Sequence, residues 1–125
     1  MKENVVKEKS YKFALRIVKA FKFLTQEQRE FVLSKQVLRS GTSIGALVSE
    51  AEYAQSQADF INKMHVALKE ANETTYWLMI LKDSDYIDEK TFSSIHKDCE
   101  ELIRLLISII VKAKETTRNK QNEKK

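Results

Sequence analysis

The chain contains no proline and only two glycines among its 125 residues. These residue types supply most of the tight turns in multi-stranded proteins, so a β-sandwich or β-barrel is not expected. The two glycines, Gly41 and Gly45, fit neither the dinucleotide-binding spacing nor the P-loop spacing. The sequence therefore predicts one helical domain of ordinary size without a glycine-rich phosphate loop.

Cysteine and histidine are equally scarce. Cys99 is the only cysteine, which excludes an intrachain disulfide, and its acidic neighbours favour no reactive thiolate. Di-iron bundles carry Glu-x-x-His pairs, but Asn62 and Ser93 stand three residues before the two histidines, His65 and His96. The Arg-x(4–6)-His motif of all-helical nucleases is also missing. We therefore expect a protein that is not an enzyme and that needs no metal or other cofactor.

A long apolar run is missing as well. The longest stretch, from Leu102 to Val111, contains Arg104, and its roughly ten residues are too few for a bilayer span of about 20. The first ten residues, MKENVVKEKS, lack the apolar segment of a signal peptide. These features predict a cytoplasmic protein without a membrane partner.

Charge is present in quantity and is unevenly distributed. Residues 1–39 carry ten basic and four acidic side chains. Residues 40–111 carry six basic and twelve acidic side chains, and residues 112–125 carry six basic and two acidic side chains. Such segregation suits nucleic-acid binding or self-association between unlike surfaces, whereas a solvated polar face on each helix is the alternative. Because charge cancels over residues 1–111, nucleic-acid binding would require a local basic face or the tail.

Apolar residues recur at intervals of three and four, which is the pattern of amphipathic helices. Four helices are predicted, at about 7–23, 26–54, 57–82 and 88–115. The expected fold class is all-α, with residues 1–115 forming a four-helix bundle. Residues 116–125 contain no apolar side chain and are predicted to form a disordered basic tail.

Local signals predict where three of the helices begin. Thr25 and Gln28 have the spacing of a capping box, which would start the second helix near Gln26. Ser56 and Asp88 are the predicted N-caps of the third and fourth helices.

Two segments indicate close packing. Gly41, Gly45 and Ser49 recur every four residues, a spacing that permits close helix approach within a bundle and that in membranes marks a dimer face. The second half of the fourth helix is apolar on nearly every side, so it is either central in the bundle or covered by another subunit. A homo-oligomer is the favoured interpretation.

Two groups of charged residues are the candidate functional positions. Lys9, Lys12, Arg16 and Lys19 form a basic stripe along the first helix, at the reach of successive phosphates of a nucleic acid. Tyr11 lies within the stripe and is able to stack on a base. A solvated lysine-rich helix face is the alternative interpretation.

The second group is Arg39, Glu50 and Glu73, which lie in or beside apolar stretches. Buried charges require partners, so Arg39 is predicted to form a structural ion pair with Glu73 or Glu50. This pair would form within one subunit or across an interface.

Two stretches resemble a known family. They are Leu38-Arg39-Ser40-x-x-Ser43-Ile44-x-Ala46-x-Val48-x-Glu50 and Asp59-Phe60-x(6)-Ala67-x(5)-Glu73. Both are similar to segments of the four-helix-bundle proteins encoded in intervening sequences of bacterial 23S ribosomal RNA. That superfamily includes the accessory variability determinants of diversity-generating retroelements. The resemblance covers roughly residues 8–113, and Leu47 departs from it by standing where the family usually has asparagine.

The resemblance implies an up-down-up-down bundle, a ring-shaped homopentamer and no catalytic activity. Its retroelement members bind nucleic acid and a reverse transcriptase through a basic outer surface. Arg39, Ser43, Glu50 and Glu73 match the shared motif as structural positions, whereas the basic stripe is similar only in kind. The expected function is binding of RNA or a protein–RNA complex through the stripe. The alternative is a structural or scaffolding pentamer that binds a protein.

Overall fold

Four helices account for most of the chain, and the computed structural model describes residues 2–123. The helices are α1 (Lys2–Gln26), α2 (Leu33–Ala51), α3 (Gln57–Asp83) and α4 (Glu89–Glu123). No strand occurs in this range. The all-α prediction is confirmed.

The helices pack in the order α1, α2, α3, α4 and back to α1, and within the described range the backbones of diagonally opposite helices do not come close to one another. On α1 and α2, Ile17 lies against Gly41 and Ser10 against Gly45, so residue numbers rise along one helix as they fall along the other. Contacts on the other three seams show the same reversal. This is the arrangement of an up-down-up-down bundle.

The core receives large apolar side chains from every helix. Phe13, Ile44, Leu78 and Leu102 are at most 2% exposed, one from each helix in turn. Removing such side chains from water is the main stabilising contribution to the bundle.

The small residues of α2 allow α1 to approach closely. A Cβ atom on Gly41 would lie 2.8 Å from Cγ1 of Ile17, and a Cβ atom on Gly45 would lie 3.2 Å from the carbonyl oxygen of Ser10. The predicted close approach inside the bundle is confirmed.

The predicted start of α2 is wrong. Helix α1 continues to Gln26, and the Thr25 hydroxyl donates to the carbonyl of Phe21 within that helix. Helix α2 begins only at Leu33, where the Glu30 carboxylate accepts hydrogen bonds from the backbone N–H groups of Leu33 and Ser34. A charged acceptor that satisfies several free N–H groups at a helix N-terminus overrides the local capping-box pattern.

The other two caps are confirmed. The Ser56 hydroxyl accepts from the N–H of Asp59 at the start of α3. At the start of α4, the Asp88 carboxylate accepts from the N–H of Thr91 at 2.7 Å. The hydrogen bond from the Thr91 N–H, followed by that from the Thr91 side chain, lowers the pKa of Asp88 below its ordinary value.

Helix α4 ends later than predicted. It continues to Glu123, eight residues beyond the predicted end near Glu115, because residues 116–123 contain neither proline nor glycine to stop it. Residues 116–123 of the predicted tail are therefore helical in the structure. Residues 124–125 of that predicted tail lie outside the described residues.

The apolar half of α4 is covered mainly by its own bundle. Leu102, Leu106 and Ile109 are at most 3% exposed, whereas Ile107 and Val111 are 46% and 49% exposed. Packing against α1 and α3 therefore buries much of the apolar surface of this segment. No helix within residues 2–123 has the length and apolar character needed to cross a membrane.

Candidate nucleic-acid interface

Two of the four stripe residues turn towards α4. Lys9 pairs with Glu101 at 2.9 Å, and Arg16 pairs with Asp98 at 2.6 Å. The guanidinium of Arg16 also donates to the carbonyl and to the hydroxyl of Ser94. The hydrogen bond to Glu101 raises the pKa of Lys9. These two cations therefore help to hold the α1–α4 seam.

The other two stripe residues face solvent. Lys12 pairs with Glu8 of the preceding turn at 2.9 Å, but its side chain is 69% exposed. Lys19 is exposed and makes no ion pair within the described residues. Tyr11, beside Lys12, is 64% exposed. Lys12 and Lys19 are two helical turns apart, about 10 Å along the axis, and together with Tyr11 they form the accessible part of the stripe.

Arg39 joins two carboxylates on α3. Its guanidinium donates to Glu70 at 2.9 Å and to Glu73 at 2.5 Å, and Glu73 also accepts from the indole N–H of Trp77. The hydrogen bond from Arg39, followed by that from Trp77, lowers the pKa of Glu73, and the same bond raises the pKa of Arg39. Ser43 completes the cluster by donating to the carbonyl of Arg39.

The structure separates the two predicted partners of Arg39. Glu50 is exposed on α2 itself, eleven residues or about 16 Å along the axis from Arg39, and it does not join the cluster. Glu70, rather than Glu50, is the second carboxylate that binds Arg39. The sequence contained a signal for this role, because Glu70 stands three residues before Glu73 and so shares its helix face. The expected burial is wrong for Arg39, whose side chain is 50% exposed.

Cys99 and His96 lie about one turn apart on α4 but have different surroundings. The Cys99 thiol is buried and donates to the carbonyl of Ala71, and burial raises its pKa to about 12. His96 stacks on Phe92 and contacts Glu100 at 3.0 Å. In the part of the chain that the structure describes, no three His, Cys, Asp or Glu side chains form a group able to hold a metal ion.

A shallow groove follows the outer side of the α1–α2 seam. Tyr11 and Ala14 of α1 and Gly45, Ala46 and Ser49 of α2 line it, and its volume is about 210 Å³. The small residues Gly45, Ala46 and Ser49 leave this groove open beside the close approach of Gly45 to Ser10.

These features define an all-α, four-helix protein with charged clusters on its surface. The family model described as 23S rRNA-intervening sequence protein matches residues 2–108, so the chain belongs to that family. None of the curated proteins matches it.

The chain is also similar to a protein of unknown function from the S23 ribosomal protein family of Bacteroides thetaiotaomicron VPI-5482, whose crystal structure is known. Sequence identity is 63% and the TM-score is 0.87. The match covers 88% of this chain and 98% of that chain.

Proposed function

We propose that this protein is a non-catalytic binding protein that recognises RNA, alone or within a protein–RNA complex, through the basic face of α1. The observation that carries the proposal is the outward position of Lys12 and Lys19, with the exposed aromatic ring of Tyr11 next to Lys12 in the chain. Cations spaced along a helix next to a stacking surface complement a phosphate backbone and its bases. The family description, which refers to 23S rRNA, is consistent with an RNA context.

The test is binding of a fluorescent RNA hairpin across a range of salt concentrations. We expect Lys12→Gln combined with Lys19→Gln to reduce the slope of log affinity against log salt by about two, because each lost phosphate contact removes roughly one unit. Arg16 is left intact because it holds α4.

The matched control combines Lys69→Gln and Lys97→Gln, which remove the same charge from exposed positions on α3 and α4. This control should bind like the wild type. A wild-type protein that binds no RNA, or equal losses in both double variants, would contradict the proposal.

A scaffolding homopentamer that binds a protein is the second candidate. The groove lined by Tyr11, Gly45 and Ala46 favours it, because an accessible apolar groove suits a helix of another chain. Ala46→Glu places a charge in the groove and should convert an oligomer into a monomer by mass measurement in solution, whereas Asn62→Glu, on the exposed face of α3, should not. A wild-type monomer would contradict this candidate.

A further inference from the structure

The last ten described residues of α4 project beyond the bundle. Ala113 is the last buried residue, and its carbonyl accepts a hydrogen bond from Gln57 at the first position of α3. Beyond it, residues 114–123, here called the overhang, extend for about 15 Å. Within the overhang only Thr117 is partly covered, and its hydroxyl donates to the carbonyl of Ala113.

The cations of the overhang form no ion pair among the residues that the structure describes. Lys114, Arg118 and Lys120 are exposed and make no ion pair among residues 2–123. On the stripe of α1, by contrast, Lys9, Lys12 and Arg16 are each paired with a carboxylate of the same chain. The overhang therefore presents three unpaired cations, which exceed its two acidic side chains, Glu115 and Glu123.

Composition limits what the overhang can bind. It contains no apolar side chain, so it has no anchor for a protein groove and no face to insert into a lipid surface. The overhang continues α4 without packing against another helix, so a ligand that binds it would also stabilise its helical conformation. A flexible polyanion needs no apolar anchor on the protein, and its binding would stabilise the helix of the overhang.

An aromatic ring lies at the same end of the molecule. Tyr53, which follows the end of α2 and precedes α3 by four residues, is 82% exposed. Because Gln57 contacts α4 where the overhang begins, the loop that carries Tyr53 and the overhang share one end of the bundle. Accessible aromatic rings beside unpaired cations bind unstacked bases in single-stranded nucleic acids.

We propose that this end of the bundle, formed by the overhang and Tyr53, is a binding site for single-stranded RNA. The cations contact phosphates, and the tyrosine ring stacks on a base. The proposal rests on the RNA binding proposed above and adds a site separate from the stripe on α1.

The experiment measures binding of a fluorescent oligouridylate by the full chain. We expect the triple variant Lys114→Gln, Arg118→Gln and Lys120→Gln to reduce the salt slope by about two, at about 0.7 per phosphate lost from a single strand. The matched triple variant Lys69→Gln, Lys90→Gln and Lys97→Gln, at exposed positions away from this end, should keep the wild-type slope.

The aromatic contribution is tested separately. Tyr53→Ala should weaken oligouridylate binding by about tenfold, and Tyr53→Phe should retain it. Tyr76→Ala, at a ring 57% exposed on α3, is the control and should bind like the wild type. Bound oligouridylate should also slow amide hydrogen exchange in residues 114–123.

The outcomes separate this site from the general function. If only the α1 double variant loses binding, RNA binding stands and the site at this end is refuted. If the wild type binds neither the hairpin nor the oligouridylate, both proposals fail. If the overhang variant loses binding to phosphatidylserine vesicles but not to oligouridylate, the site is a lipid-headgroup site and the proposal is overturned.

Discussion

Glu30 is the side chain that determines where α2 begins. It is 7% exposed, yet its carboxylate accepts from the N–H groups of Val32, Leu33 and Ser34. Burial alone would raise the pKa of Glu30, but these hydrogen bonds outweigh it and lower the pKa below the ordinary value. A carboxyl with a depressed folded-state pKa stabilises the protein above its unfolded-state pKa and loses that contribution as pH falls through the folded value.

We therefore expect Glu30→Gln to lower the free energy of unfolding by about 1–2 kcal/mol at neutral pH, the usual cost of losing an N-cap. The difference from the wild type should shrink below about pH 4, where unfolded glutamate takes up its proton. Urea unfolding at neutral and acid pH measures both quantities. An equal difference at the two pH values would show that the charge of Glu30 does not matter.

The effect of replacing Gly41 by alanine on stability depends on its neighbour Ile17. An added Cβ would lie 2.8 Å from Cγ1 and 2.9 Å from Cγ2 of the buried Ile17. Gly41→Ala should therefore destabilise the bundle by about 1–2 kcal/mol, since overpacking exceeds the gain of about 1 kcal/mol in helix propensity. In an Ile17→Ala background the same substitution should stabilise. Thermal unfolding of the four proteins tests this, and a Gly41→Ala single variant that is more stable than wild type would contradict it.

At the scale of the elements, Arg39 connects α2 to α3 through Glu70 and Glu73. We expect a double-mutant cycle of Arg39→Gln and Glu73→Gln to give a coupling energy of about 0.5–1 kcal/mol, the usual value for a partly exposed pair. The same cycle with Glu50→Gln should give none. Coupling to Glu50 would indicate that Arg39 contacts a second subunit.

Sequence periodicity predicted four helices because each must bury one apolar face. Periodicity did not locate the start of α2 or the end of α4. Thr25 matches a local pattern, but the Glu30 carboxylate reaches α2 only once the loop of residues 27–32 has folded. The end of α4 was missed for a different reason, because polar residues without proline or glycine are compatible with both helix and disorder.

For the molecule as a whole, the charge segregation of the sequence has a structural counterpart. Cations of α1 lie beside acids of α4, as Lys9 does beside Glu101 and Arg16 beside Asp98. The spacing of the stripe places it on one helix face but does not identify its partners, because Asp98 and Glu101 lie 82 and 92 residues further along the chain than Arg16 and Lys9. Much of the segregated charge is thus used within one chain, which leaves Lys12, Lys19 and the overhang for partners.

The ring order of the helices also has a consequence for folding kinetics. Three seams join helices that are consecutive in the chain, and the α1–α4 seam alone joins its first and last helices. Local contacts form early and distant ones late, so this seam should close after the transition state. Arg16→Gln should raise the unfolding rate about two- to fivefold and leave the folding rate nearly unchanged in stopped-flow experiments. A slower folding rate would place ring closure before the transition state instead.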